Sequence, residues 1–197
     1  MRYFLYNIFL PFKEKRAYFV WLLIFTLIAF VVGVYAGINL NNQVFSIDMS
    51  SISYINFLKG ECGLLSLVFK LFLSLTIFYT LILVCHCKKY LIPLAIIIYM
   101  YFVYTQAVVL ISLIVIYGFF NSIVLFFVLL IYEIFVIATF LISMMHMYCL
   151  IGNFDFFKSC FSWQNYILWF LLFLLIWCLI FSTMLLILKS FVILLVY

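Results

Sequence analysis

Residues 125–142 read LFFVLLIYEIFVIATFLI, a continuous apolar run whose one charged side chain is Glu133. About 20 residues of helix cross the hydrocarbon core of a bilayer, so a run of this kind is a candidate membrane span. A transmembrane barrel would instead show short segments of alternating polarity separated by turns. The unbroken pattern around Glu133 therefore predicts a helix, and the position of a lone carboxylate halfway along it marks either an internal partner or a working site.

The rest of the chain has the same character. It is 72% hydrophobic and 8% charged over 197 residues, too little charge for a water-facing surface around so apolar a core. Apolar runs between charge clusters place five spans at about 17–37, 64–85, 91–117, 120–145 and 166–188. The third and fourth are divided at Gly118-Phe-Phe-Asn-Ser122, where Gly and Asn-Ser suit a tight turn. A six-span version would cut this region again near Ser143, leaving pieces barely long enough to cross. The expected fold is all-α: a polytopic bundle of about five transmembrane helices, in which residues 17–197 form one domain.

Basic residues give the expected orientation. Arg2, Lys13, Lys15, Arg16, His86, Lys88, Lys89 and Lys158 fall on one side of a five-span chain, which the positive-inside rule assigns to the cytoplasm of a bacterial plasma membrane. The N-terminus is then inside and the C-terminus outside. Residues 1–16 suit a cytoplasmic interfacial segment, with Tyr3, Phe4, Phe9 and Phe12 at headgroup level. A cleaved signal peptide ending near Ala36 and Gly37 is the competing reading, against which the length of the apolar run counts. Residues 38–62 form an outer segment polar enough to be wet, made amphipathic by Val44, Phe45, Ile47, Ile52, Tyr54, Ile55 and Phe57 and suited to lie on the surface or against a partner.

Three glycines mark places of close packing. Gly33 and Gly37 are four apart and share a helix face, which permits a neighbouring backbone to approach, from within the monomer or from a second copy in a homo-oligomer. Gly118 is the third, at the break between spans. Polar groups at mid-depth form the candidate site: Lys70 in the second span, on one stripe with Ser66 and Ser74, Gln106 in the third and Glu133 in the fourth. An ionised side chain at the bilayer centre costs ~2.5–3.5 kcal/mol, and a Lys70–Glu133 ion pair with a hydrogen bond from Gln106 would offset part of it. Such a cluster either fixes helix register or makes Glu133 a proton or cation site; in a third arrangement Lys70 snorkels outward and Glu133 stands alone.

Other chemistry finds little support. Cys85, His86, Cys87, His146, Cys149 and Cys160 gather near one membrane surface, but their spacing is poor for zinc, and no metal or cofactor is expected. The five acidic residues are scattered, and phosphate loops, nucleophile elbows and His-Glu-x-x-His motifs are missing, so the chain reads as non-enzymatic. The net charge of +5 suits anionic lipid as partner without nucleic acid.

In order, these features resemble a known family. A short basic N-terminus, a first span ending Val32-Gly-Val-Tyr-Ala-Gly-Ile-Asn-Leu-Asn-Asn42, an outer amphipathic segment and a four-helix remainder look like the stage II sporulation protein M family of bacterial membrane proteins. Ile116-Tyr-Gly-Phe-Phe-Asn-Ser-Ile-Val-Leu-Phe-Phe127, followed by Leu-Leu-Ile-Tyr-Glu133-Ile-Phe-Val-Ile-Ala138, is similar to the family's segment in which a glycine precedes a glutamate-bearing helix. Many members carry Pro-His-Gly shortly before that glutamate, and here Val128, Leu129 and Leu130 stand instead. The resemblance implies a non-enzymatic membrane scaffold that anchors peptidoglycan-degrading partners through its outer face. The alternative is a small transporter or the membrane subunit of a permease, with a mid-membrane polar site at Glu133.

Overall fold

The computed structural model describes residues 13, 15–39, 57, 63–86, 89–117, 119–152 and 163–196. They form five long helices: α1 (Arg16–Asn39), α2 (Leu64–His86), α3 (Ile92–Tyr117), α4 (Phe119–Gly152) and α5 (Trp163–Val196), with a 3-10 turn at Lys89–Leu91 leading into α3. There is no strand among the described residues. Each helix is long and apolar enough to cross a membrane. The protein is an all-α, multi-pass membrane protein.

The helix ends follow from local chemistry. Pro93 sits in the first turn of α3, where its missing N–H is an unused donor in any case, and the Lys89–Leu91 turn makes α2 and α3 antiparallel neighbours. Only position 118 separates α3 from α4, so the break foreseen over residues 118–122 is narrower than expected, and Asn121 and Ser122 lie inside α4. Ser143 lies in the same unbroken helix, which removes the six-span alternative. With 34 residues, α4 is ~50 Å long against ~30 Å of hydrocarbon, so it tilts or runs past the membrane surface. Gly118, residues 1–12 and 14 of the interfacial segment, and residues 40–56 and 58–62 of the outer segment lie outside the described residues, while Ile38 and Asn39, expected in that outer segment, end α1.

Helices α2, α3, α4 and α5 close into a ring, each packed on the next and α5 back on α2, while α1 lies outside against α3. The buried positions of α2 (Leu67, Leu71, Leu75, Tyr79, Ile82) and of α5 (Phe170, Leu174, Cys178, Phe181, Leu185) recur every three to four residues, the spacing of one helix face. The outer faces are equally apolar: Leu65 is 83% exposed and Tyr35 70%. An apolar belt on the outside and a filled interior fit hydrocarbon as the surrounding solvent.

One ring from each helix of the bundle meets in an aromatic layer. Tyr79 stacks on Phe170 at 4.3 Å, Phe102 stacks on Phe140 at 4.6 Å, and Tyr79 and Phe170 both meet Phe140 edge-on. Closer to the other end, Tyr132 stacks on Phe181 and Phe135 on Trp177, joining α4 to α5. Such pairs contribute about 0.5–1.5 kcal/mol each beyond burial.

Among the described helices, α1 and α3 share the most extensive contact, and it is a close one. A Cβ placed on Gly33 would fall 2.7 Å from the Tyr104 carbonyl oxygen and 2.8 Å from the Ala107 Cβ, and one on Gly37 would fall 2.9 Å from the Ile111 Cβ. Ala29, one turn earlier, is also buried, so a stripe of small residues runs down α1. The Thr26 hydroxyl donates to the Leu22 carbonyl at 2.7 Å and lies 3.0 Å from the Tyr99 hydroxyl, a polar contact between α1 and α3. The two glycines thus pack within the monomer. Replacing Gly33 by Ala is expected to lower stability in mild detergent by about 1–3 kcal/mol, because a fixed backbone oxygen must move. Gly37→Ala should cost a comparable amount, since the Ile111 Cβ it meets is fixed to the backbone and the Val108 carbonyl oxygen lies 3.3 Å away; negligible losses in thermal unfolding for both would contradict the seam.

Candidate functional site

Glu133 falls in phase with the buried face of α4, one turn beyond Leu129 and just short of Val136 and Phe140, and is itself only 3% exposed. Neither carboxylate oxygen has a hydrogen-bond partner. The helix holds the group there because its neighbours on that face are large apolar residues packed into the bundle.

In front of Glu133 is a small, incompletely enclosed cavity between α2, α3 and α4, lined by Leu71, Ser74, Leu75, Gln106, Leu129, Tyr132 and Glu133. The space open to the centre of a water-sized sphere is about 20 Å³, enough for a water molecule or one desolvated monovalent ion. Two of the three expected cluster members, Gln106 and Glu133, share this cavity, and Ser74 joins them from α2. Helical spacing puts Ser74 one turn after Lys70, yet only the serine reaches the cavity.

Lys70 does not take part. It is exposed on α2, outside the cavity lining, and forms no ion pair with Glu133. The expected Lys70–Glu133 pair is therefore corrected: the two residues were matched by depth, but the rotation of α2 turns Leu67, Leu71 and Leu75 inward and leaves Lys70 beside that seam. Lying near the start of α2, its four-carbon stem can carry the ammonium to the membrane surface.

A second polar contact was not foreseen. The Lys189 ammonium, late in α5, donates to the Phe57 carbonyl at 2.9 Å and lies 4.9 Å from the centre of the Phe57 ring. Phe57 is 3% exposed. The contact ties one point of segment 38–62 to the bundle at the end where α1 finishes and α2 begins. A base at a helix end and an aromatic segment on the same side were both visible in the sequence; their pairing was not.

Several other polar side chains bond back to the helices that carry them. Thr76, Thr105, Thr139 and Ser182 donate to carbonyls one turn back, as does Thr80 to Thr76. His86 Nδ1 donates to the Ile82 carbonyl at 2.8 Å and His146 Nδ1 to that of Ile142 at 2.9 Å. Cys85 and Cys178 are buried thiols. Among the described residues no three His, Cys, Asp or Glu side chains gather as metal ligands would.

Compared with protein-family models, with curated proteins and with solved structures, the chain finds no match.

The separation of Lys70 from Glu133 has a direct test. Lys70→Gln and Glu133→Gln should be additive in a double-mutant cycle of unfolding, within about 0.5 kcal/mol, and Glu133→Gln alone should leave stability unchanged or raised. A coupling well above 1 kcal/mol would restore the ion pair.

Proposed function

We propose that the protein is a non-enzymatic scaffold of a bacterial plasma membrane, oriented with its N-terminus in the cytoplasm, whose outer side holds a wall-acting partner. This is the role that the stage II sporulation protein M resemblance implies, with peptidoglycan hydrolases as the partner class during engulfment or wall remodelling. The observation that carries it is the Lys189–Phe57 contact, which fixes Phe57, a residue of the stretch expected on the outer side, to the end of α5. The continuous helices support the same reading, since a transporter site is typically built where spans are interrupted and backbone is exposed.

The alternative, a small transporter or permease subunit, draws support from the cavity at Glu133. The two readings expect different partners on different sides. A photo-reactive group at Tyr54, used in native membranes, is expected to capture a peptidoglycan hydrolase; a nucleotide-binding subunit captured from the opposite side would favour the permease instead. Lys189→Gln, which removes a charged hydrogen bond and a cation–π contact, is expected to loosen the segment by about 1–2 kcal/mol and to lower the yield of the capture. A yield unchanged by that substitution would separate partner binding from the anchored segment.

A further inference from the structure

The carboxylate of Glu133 is buried near the middle of α4 with both oxygens unpartnered, and the group that sequence depth suggested as its counter-charge is exposed. A negative charge in hydrocarbon requires one positive charge close by, or a proton on the group itself. Among the described residues the lining includes no basic side chain; Tyr132 is its other titratable group there, while α2 and α3 contribute Leu71, Ser74, Leu75 and Gln106. What the lining does supply is oxygen: two from Glu133, the amide oxygen of Gln106 and the hydroxyl of Ser74. Small hard cations prefer oxygen ligands, and the volume admits one such ion stripped of most of its water.

We propose that this cavity is a binding site for a single monovalent cation, a proton or a sodium ion, with Glu133 as the charged ligand and Gln106 and Ser74 as neutral ones. The site is independent of the scaffold reading, because a bound cation can neutralise the bundle interior without being carried across it.

The hydrophobic reagent dicyclohexylcarbodiimide tests this on the full chain in detergent or liposomes, because it enters hydrocarbon and adds to a carboxyl only in its protonated form. The adduct is located by peptide mass spectrometry, with Glu133→Gln as the unlabelled control. A sodium site gives labelling of Glu133 that sodium chloride slows, by about tenfold at ten times its dissociation constant, while choline and potassium chloride do not. Gln106→Leu then keeps the label and loses the protection. A proton site gives labelling that falls as pH rises and ignores all three salts. No adduct at any pH, or one indifferent to both pH and sodium, overturns the proposal. So does a large change in labelling rate in Lys70→Gln, which would make the lysine the true counter-charge.

Discussion

Gly33 and Gly37 let α1 approach α3 more closely than any side chain would permit, and the orientation of α3 follows from that contact. Between helices in a bilayer there is little hydrophobic gain, since lipid tails are as apolar as leucine; close packing and hydrogen bonds decide which faces meet. Tyr104, Ala107, Val108 and Ile111 form the stripe on α3 that receives the two glycines. Gln106 is about 100° around the helix from Ala107, so fixing the stripe against α1 turns the glutamine away from it and toward α2 and α4. The Thr26–Tyr99 contact sets the same rotation two to three turns away. A packing device on the outside of the bundle thus places a polar group in its interior.

Within the ring, shape does most of the work and polar groups are few. Hydroxyls of Thr76, Thr105, Thr139 and Ser182 are absorbed by carbonyls of their own helices, the usual solution where water is scarce. The aromatic layer joins all four helices at one level through Tyr79, Phe102, Phe140 and Phe170. Against this background Glu133 stands out: its carboxylate has space in front of it and nothing bonded to it.

The spans were legible because length and apolarity are one-dimensional properties. The helix observed at Arg16–Asn39 matches a span expected at 17–37, and those at Leu64–His86 and Ile92–Tyr117 match equally closely. Position along a span is one-dimensional too, and Gln106 and Glu133, expected at one level, line one cavity. Rotation was not legible. In a water-soluble helix the polar face reveals which side is buried, but here Leu65, Phe69 and Ile77 on the outside of α2 are as apolar as Leu67, Leu71 and Leu75 on the inside. Lys70 and Leu71 differ by about 100° in azimuth, and nothing in the sequence says which points inward. The glycine pair escaped this ambiguity, because small residues four apart reveal a packing face whatever the polarity around them.

The position of the aromatic layer bears on what Glu133 can exchange with. Along α2 the layer residue Tyr79 comes after the cavity residues Ser74 and Leu75, along α3 Phe102 comes before Gln106, and along α4 Phe140 comes after Glu133. Because these helices alternate in direction, all three statements put the stacked rings on one side of the cavity, toward the end where α2 meets α3. A cation leaving that way would have to part rings contributed by four helices, whereas the opposite direction leads toward Lys189 and Phe57 without crossing that layer. Separating a few aromatic pairs costs on the order of a few kcal/mol, which makes such an opening a minor state of the equilibrium. Leu67, Leu110 and Leu185 are buried on that other side, so exchange of the acid with either surface requires the packing to open, through rings in one direction and through leucines in the other.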